Sequence, residues 1–316
     1  MGDWTIRPAR NADLPFMETL LKRNYDSLEA GYAYPRCEHA IELLAETALY
    51  GLSLPRAVRI IESAGRPVGI FGFLWDASTE GNGTMIERAS AATAYSIGPL
   101  LVPRLRAQRH LIVAVERLER AAARRFSGIR LCLTERNRVM KTLLEARGWR
   151  AGVRNLEMRW RPRRGRRDNV HGPTHIVGRI ERPDDPRIPA AAALLASGFN
   201  WRDAPERRLV EYLEEGYRLG CVEQNAEVIG VGIWISVEQT EFGRLEYVIV
   251  RPDRRRRGVA TALVACALED LRGAENKEVY LSVDPANDAA RTLYRKQRFV
   301  ATIRSVVYEK RFRDSA

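Results

Sequence analysis

One stretch, residues 245–271, constrains the fold of this 316-residue chain more than any other. Residues 245–250 are a short apolar run rich in β-branched side chains, which predicts a strand. Pro252 ends that strand because proline has no N–H to donate to a ladder. Residues 258–271 contain no proline and are apolar on nearly all sides, which predicts a buried helix. A strand that passes through a short Arg/Gly turn into a helix leaves free N–H groups at the helix start, and these suit a phosphate or pyrophosphate.

The turn fits neither of two common nucleotide-binding loops, since its spacing matches neither G-x-x-x-x-G-K-[ST] nor G-x-G-x-x-G. It resembles the [QR]-x-x-G-x-[GA] loop of the GNAT acyltransferase superfamily. The resemblance implies that amides of this loop bind the pyrophosphate of acetyl-CoA or another acyl-CoA, and that the backbone at Val248 and Val250 bonds the pantetheine arm and the thioester carbonyl. An exposed basic turn without a ligand is the alternative. The loop residues are Arg255, Arg256, Arg257, Gly258, Val259 and Ala260.

A second motif follows the first in the order and at the separation typical of that family. Residues 278–283 predict another strand, and Asn287 then opens a helix in which Tyr294 lies seven residues further on. This resembles the GNAT pattern of an Asn, a Tyr and a Gly-Phe pair, except that Arg298 stands where the glycine before Phe299 is expected. The resemblance implies that Asn287 caps its helix or contacts pantetheine.

The resemblance also implies direct attack of an amine on a bound thioester, without a covalent enzyme intermediate. Tyr294 is then the candidate general acid for the leaving thiolate, and the alternative is a ring that fills space between helix and sheet. Glu246 is the candidate base, directly or through a water, and the alternative is a carboxylate on the strand surface. Because residues alternate faces along a strand, we expect Glu246, Val248 and Val250 to point together.

The second half of the chain predicts the element order β-α-α-β-β-β-α-β-α-β, which matches the GNAT fold, a mixed α/β sheet with flanking helices. An internal repeat places a similar series in the first half. Residues 95–102 are an apolar strand, Arg106 stands beside Arg255, and Asn137 stands beside Asn287. We therefore expect two tandem GNAT domains.

The first half departs from the motifs of the second. Arg109 replaces the loop glycine and Leu111 the terminal small residue, so side chains would crowd a pyrophosphate that needs close backbone approach. Leu144 replaces Tyr294 and has no hydroxyl. We infer that this half has lost acyl-CoA chemistry and keeps a structural or substrate-holding role; the alternative is that it binds the cofactor unproductively. The predicted organisation is a degenerate GNAT-like domain at 1–160, a basic linker at 161–169 and a catalytic GNAT domain at 170–316.

Positive charge is concentrated in one part of the chain. The formal net charge is +12, and residues 101–167 carry 20 Lys/Arg against 5 Asp/Glu, whereas residues 171–316 are nearly balanced. A solvated arginine-rich face from a high-GC genome is one interpretation. A surface for RNA or DNA is another, because contacts between arginine and phosphate give sequence-independent affinity. Attraction to anionic lipids is a third.

Other features bound the class of protein. No apolar run reaches the ~20 residues needed to cross a bilayer, and the N-terminus has no segment typical of a signal peptide. The four cysteines are far apart without a C-x-x-C pair, so we expect neither disulfides nor a metal site. We expect a cytoplasmic protein with no membrane partner, and the sequence leaves open whether it is a monomer or a dimer.

Two functions stay open. The first is N-acyl transfer, of an acetyl group in particular, from CoA to the primary amine of a small molecule. The second is transfer of an aminoacyl group from charged tRNA, as in some tandem-GNAT enzymes, with the tRNA held by the arginine-rich residues 101–167. A non-catalytic binding protein is disfavoured by the intact motifs of the second half. The acceptor is not revealed, although Trp201, Asp203 and Glu206 could orient an amine.

Overall fold

The computed structural model describes residues 4–27, 29, 31–75, 93–162, 175–199, 201, 204–237 and 240–312. Among these residues no helix is both long and apolar enough to cross a membrane. Residues 76–92, whose polar and glycine-bearing sequence predicts a surface loop, lie outside the described residues, as does most of the predicted linker, residues 163–169.

Strands and helices follow the predicted order, with ends that differ by a few residues. In the first half they are β1 (Trp4–Pro8), α1 (Leu14–Asp26), β2 (Tyr32–Tyr34), α2 (Ala40–Leu49), α3 (Leu54–Ala57), β3 (Val58–Ser63), β4 (Arg66–Leu74), β5 (Thr93–Leu101), α4 (Gln108–Ala123), β6 (Gly128–Thr134), α5 (Arg138–Ala146) and β7 (Arg150–Trp160). In the second half they are β8 (Gly178–Ile180), α6 (Ile188–Phe199), α7 (Pro205–Glu214), β9 (Arg218–Gln224), β10 (Glu227–Ser236), β11 (Phe242–Val250), α8 (Val259–Gly273), β12 (Glu278–Val283), α9 (Asp288–Lys296) and β13 (Val300–Arg311). The mixed α/β class is confirmed.

The chain divides into two compact units. Unit 1 comprises Met1–Asn155 and Ile303–Ala316, and unit 2 comprises Leu156–Thr302. The strand order in unit 1 is β1-β3-β4-β5-β6-β13, with β2 also paired to β6, and in unit 2 it is β7-β12-β11-β10-β9-β8. Each unit has one parallel pair of neighbouring strands, β5–β6 in unit 1 and β11–β12 in unit 2, among the ladders that the described residues form.

The last strand of each half belongs to the unit built mainly from the other half. Residues 156–160 of β7 pair with β12 in unit 2, and residues 305–311 of β13 pair with β6 in unit 1. Ion pairs accompany both ladders: Arg159 Nη1 lies 3.1 Å from Glu278 Oε2, and Lys310 Nζ lies 3.0 Å from Glu119 Oε1. The boundaries of the compact units therefore fall inside β7 and β13. The division at residues 160 and 170 stays a prediction about the domains of the sequence.

Helix α8 packs unusually close to the sheet of unit 2. Its buried residues lie all around the helix, as the sequence predicts. Gly230 on β10 permits the contact, because a Cβ there would lie 2.5 Å from Val259 Cγ1, closer than carbon atoms pack. Val250, Val259 and Leu263 then share one core cluster, which holds the start of α8 beside the end of β11.

We expect a fragment of residues 156–302 to fold on its own, and a fragment of equal length, residues 170–316, not to fold. The first contains every strand of unit 2, whereas the second lacks residues 156–160 and leaves one edge of β12 unpaired. Thermal unfolding followed by circular dichroism measures this for each purified fragment. A cooperative transition in the second fragment but not in the first would contradict the exchange of strands.

Candidate functional site

The turn between β11 and α8 has the backbone geometry of an anion site. Arg256 has φ 62° and Gly258 has φ 84°, so two left-handed residues flank Arg257. Left-handed residues that alternate with others turn successive N–H groups toward one side and form a concave nest for an anion. Glycine adopts this conformation without strain, which explains why a glycine suits position 258.

Free amides at the start of α8 extend this nest. The first hydrogen bond of the helix joins Ala262 N–H to Gly258 O at 3.0 Å. The amides of Val259, Ala260 and Thr261 therefore have no acceptor within the helix. The positive end of the helix dipole lies at the same place and favours negative charge there.

Three arginine side chains of the turn add charge to it. Arg255 Nε donates to Val250 O at 3.2 Å, which ties the turn to the end of β11. Arg256 and Arg257 are exposed, and in the described parts of the chain neither has a carboxylate partner. His175 forms a 2.8 Å hydrogen bond to the carbonyl oxygen of Arg257. Among the described residues, no backbone carbonyl accepts a hydrogen bond from the N–H groups of Arg256, Arg257 or Gly258.

Next to the nest, one edge of β11 has no strand beside it. The parallel ladder between β11 and β12 ends at Arg244, although β11 continues to Val250. Arg251 N–H donates to Ile229 O on β10 at 2.9 Å, so by alternation the N–H and C=O groups of Val250 and Val248 point to the opposite edge. The N–H and C=O groups of Val248 and the N–H of Val250 are thus available to an extended ligand arm, whereas Val250 O already accepts from Arg255 Nε.

A β-bulge re-orients the residues in the middle of β11. Ile233 of β10 is opposite Tyr247 and Trp234 is opposite Leu245, which leaves Glu246 as the extra residue. The prediction that Glu246 points with Val248 and Val250 is therefore wrong. Val248 and Val250 pack toward α8, whereas Glu246 Oε2 forms a 2.7 Å ion pair with Arg244 Nε.

On the other face of β11, Arg244 also donates to the hydroxyl of Tyr217. Burial raises the pKa of Tyr217 to about 12, which the positive charge of Arg244 partly counteracts. The Tyr217 hydroxyl therefore stays protonated at neutral pH. Glu246 and Arg244 thus lie beside a neutral phenol, on the face where α6 and α7 pack.

Tyr294 lies between α9 and the sheet. It is the buried residue of α9, in a core cluster that contains Leu245 and Val283 and that Val248 borders, and its ring meets Phe299 edge to face at 5.6 Å. Burial raises the pKa of Tyr294 to about 12. No described residue forms a hydrogen bond with its hydroxyl. The ring therefore does fill space in the core, and its unpaired hydroxyl is still free to act on a ligand.

The Asn and the Arg of the second motif have local structural roles. Asn287 Oδ1 accepts a hydrogen bond from Ala290 N–H at 3.0 Å and so caps α9. Arg298 has φ 67°, the left-handed conformation that Gly148 adopts at the matching place in unit 1. Arg298 N–H donates to Arg295 O at 2.9 Å, so the turn keeps its form without the glycine.

Unit 1 repeats the frame of this site but not its nest. Arg106 Nε donates to Leu101 O at 3.3 Å, the same contact that Arg255 makes with Val250. Only Ala107 separates Arg106 from the first residue of α4, and no residue of this turn is left-handed. The loop is therefore shorter than the sequence comparison suggested. Arg109 and Leu111 lie within α4 rather than in a turn.

In unit 1 the protein itself occupies the edge of β6 that is exposed where β5 and β6 separate. Strand β6 pairs with β5 only at residues 128–130, and further along the same edge Tyr32 and Tyr34 of β2 pair with Leu133 and Cys132. On β5, Pro99 has no N–H to offer there. In unit 2 no strand among the described residues takes the corresponding place beside β12.

Contacts at the end of β2 hold it in that place. Asn137, the counterpart of Asn287, donates from Nδ2 to Gly31 O at 3.2 Å, and the amide of Thr134 donates to the same oxygen at 3.3 Å. Asn24 Oδ1 accepts from Tyr32 N–H at 2.8 Å. A stretch of main chain in unit 1 thus occupies the position that is open in unit 2.

Comparison with known proteins identifies the family. Residues 185–299 match the Acetyltransferase (GNAT) family. Residues 185–299, which lie within unit 2, belong to the GNAT family. As a GNAT domain this region is an acyltransferase domain, and the matched residues contain the nest, β11 and Tyr294. No curated protein sequence matches the chain significantly.

Solved structures of GNAT proteins share the fold over nearly the whole chain. A GCN5-related N-acetyltransferase from Sphaerobacter thermophilus has a TM-score of 0.71 at 17% identity, covering 99% of this chain and 97% of its own. A tandem GNAT protein from the clavulanic acid biosynthesis pathway has a TM-score of 0.63 at 16% identity, and the match covers 99% of this chain and 100% of the tandem protein. A putative acetyltransferase from Pyrococcus horikoshii has a TM-score of 0.58 at 15% identity, covering 98% and 90%. At these identities the likeness shows the fold, two GNAT domains in tandem.

Sequence reasoning found the nest and missed most of the surroundings of Glu246. Trp201 is buried beside β11, Glu206 is exposed, and Asp203 lies outside the described residues. Arg244 and Tyr217, which contact each other at Glu246, were not singled out because they are distant in sequence. The bulge that brings Glu246 to this face depends on the register of β10 and leaves no local signal.

Proposed function

We propose that unit 2 transfers an acyl group, acetyl in particular, from acyl-CoA to the primary amine of a small molecule. One observation carries the proposal: the open edge of β11 at Val248 and Val250 leads directly into the nest around Gly258. An extended arm that ends in a diphosphate fits this combination. The family match of residues 185–299 supports the same reaction class.

The residues present fit such a donor. The nest and the free amides of α8 would hold the diphosphate, and the main chain of Val248 and Val250 would bond the amides of the pantetheine arm. Arg256 and Arg257, exposed and without carboxylate partners in the described chain, would add charge at the phosphates. A bound acyl-CoA supplies a thioester, which an amine can attack.

The transfer needs a neutral amine and a stabilised leaving group. The amine nitrogen attacks the thioester carbon, an N–C bond forms, the C–S bond breaks, the nitrogen loses a proton and the sulfur gains one. Glu246 would accept the proton of the amine, directly or through water, with its carboxylate oriented by Arg244. Tyr294 would donate a hydrogen bond to the departing sulfur.

The raised pKa of Tyr294 limits the role that its phenol can have in the reaction. With a pKa of about 12 it stays protonated throughout the neutral range. A thiol with a pKa of about 8.5 is the stronger acid, so complete proton transfer from the phenol to the thiolate is uphill. The first effect of Tyr294 is therefore a hydrogen bond that stabilises the thiolate, and the proton follows as the product leaves.

We infer that unit 1 binds no acyl-CoA. Strand β2 pairs with β6 where β5 and β6 separate, Pro99 lacks a donor on β5, and the turn before α4 has no left-handed residue. These features support the expectation of a degenerate first domain. They disfavour the alternative of unproductive cofactor binding, since main chain of β2 already lies along β6 where it separates from β5.

We expect one acetyl-CoA to bind per chain and Gly258→Trp to abolish this binding. The left-handed backbone at residue 258 disfavours any residue but glycine, so the substitution should distort the turn that forms the nest. Isothermal titration calorimetry measures the stoichiometry and the Kd. The matched control is Ala107→Trp, at the same position before α4 in unit 1, which should leave binding unchanged. Two sites per chain, or equal losses in both variants, would contradict the proposal.

We expect Tyr294→Phe to lower kcat by about 100-fold, near the lower end for general acid catalysis, with KM for acetyl-CoA little changed. The substitution keeps the ring that packs on Phe299 and removes only a hydroxyl without a partner in the described residues. Steady-state kinetics measure both constants, and thermal unfolding checks that the fold is kept. A kcat equal to that of the wild type removes Tyr294 from the reaction.

A second candidate function is aminoacyl transfer from charged tRNA. The observation that favours it is a set of exposed arginines in unit 1 without a carboxylate partner among the described residues: Arg104, Arg109, Arg120, Arg124, Arg136, Arg138 and Arg150. Other arginines of this stretch are neutralised, since Arg130 pairs with Glu309 and Arg159 with Glu278. Residues 163–167 of the arginine-rich stretch lie outside the described residues.

If tRNA is the donor, its affinity for the chain should fall by about 10³-fold between 50 and 200 mM salt, because a protein that makes several phosphate contacts releases counterions on binding. Replacing Arg120, in the last turn of α4, and Arg124, its C-cap residue, by Glu should weaken binding and reduce the slope by about 2. Filter binding measures both. The control is Arg182→Glu in unit 2, an exposed arginine already paired with Asp184. Equal effects of the two charge reversals, or acetyl-CoA binding without tRNA retention, would reject this function.

A further inference from the structure

Five aromatic residues gather beside the bulge of β11 and form what we call the aromatic cluster: Phe199, Trp201, Tyr212, Tyr217 and Tyr247. Tyr247 is central, with ring centroids 4.7 Å from Phe199, 5.4 Å from Trp201 and 5.9 Å from Tyr212, all edge to face. Tyr212 in turn stacks on Trp201 at 5.8 Å and meets Tyr217 at 4.7 Å. Rings from α6, α7, β11 and the segments that follow α6 and α7 thus form one continuous aromatic wall.

This wall lies next to the carboxylate of Glu246. Tyr247 is the neighbour of the bulge residue, and Tyr217 accepts a hydrogen bond from the same Arg244 that pairs with Glu246. Burial raises the pKa of Tyr212 far above its usual range, and the charge of Glu246 adds to that rise. The candidate base is therefore within electrostatic reach of the aromatic cluster.

The cluster has a closed inner part and an open rim. Trp201 is 5% exposed and Tyr217 6%, so they form the inner wall. Phe199 is 40% exposed although it is large and apolar, and Tyr212 and Tyr247 are half-buried. An exposed phenylalanine that packs on a half-buried tyrosine leaves apolar aromatic surface for a ligand at the rim.

Two arginines already cover ring faces in the inner part. The guanidinium carbon of Arg208 lies 4.5 Å from the ring centre of Trp201, and that of Arg244 lies 5.8 Å from the ring centre of Tyr217. These charges would repel a cationic group placed over the ring face of Trp201 or Tyr217. What remains at the rim suits a neutral ring, which packs edge to face or offset on phenylalanine and tyrosine.

We propose that the acceptor is an arylalkyl amine, a primary amine joined by a short arm to an aromatic ring. Its ring packs on Phe199 and Tyr247, and its amine reaches Glu246. This inference rests on the proposed acyl transfer for its biological meaning. The contact with the aromatic cluster is nevertheless a property of binding, and it can be measured without a donor.

The test uses the full-length chain and two probes that differ only in the ring, 2-phenylethylamine and 2-cyclohexylethylamine. Isothermal titration calorimetry should give a Kd for the phenyl compound that is lower by about 2- to 10-fold, the range of one aromatic pair. Phe199→Leu should bring the ratio of the two Kd values close to one. Its half-exposed position makes the substitution compatible with folding, and thermal unfolding checks this.

The matched control is Phe242→Leu, the same change at the start of β11, where the residue has no ring contact among the described residues. It should leave the ratio of Kd values as in the wild type. Equal Kd values for the two amines, no binding of either, or a ratio that Phe199→Leu leaves intact would overturn the inference. Acetyl-CoA binding is measured separately. If acetyl-CoA binds but the amines do not show the expected ratio, only this inference fails; if acetyl-CoA does not bind, the proposed acyl transfer fails.

Discussion

The separation of β11 from β12 beyond Arg244 is the constraint on which the rest of unit 2 depends. Strands that stay paired use up their main-chain groups, whereas here Val248 keeps its N–H and C=O groups and Val250 keeps its N–H free at a sheet edge. Helix α8 begins where this edge ends, because Gly230 allows the helix to contact β10 closely. The open edge and the nest around Gly258 thereby form one continuous binding surface of main-chain atoms.

Unit 1 has the same topology and a different outcome. Its parallel pair, β5–β6, also separates after three residue pairs, but β2 occupies the edge and Asn137 holds the carbonyl of Gly31. In unit 2 the matching Asn287 only caps its helix in the described structure. An unpaired sheet edge in a folded domain must be covered by ligand, by water or by the chain itself. The two units differ in which of these covers it.

Which arginines of this chain keep a free positive charge depends on strand pairing, and position in the sequence does not reveal it. The arginine-rich stretch reads as a uniform basic block, yet Arg130 is neutralised by Glu309 and Arg159 by Glu278, both more than a hundred residues away. The carboxylates come from β13 and β12, the strands that pair with β6 and β7. What remains as free positive charge is a smaller set of exposed side chains on unit 1, mostly on and around α4 and α5.

The sequence by itself determined the mixed α/β class, the order of elements, the nest around Gly258 and the cap at Asn287. Each of these depends on residues close together in the chain, whose backbone preferences and apolar periodicity are local. Only the tertiary structure decided that Glu246 faces Arg244, that β2 fills the edge in unit 1, that β7 and β13 change units, and that five aromatic residues meet beside the bulge. These features are set by the register between segments far apart in sequence, and a shift of one residue in that register moves a side chain to the other face of the sheet.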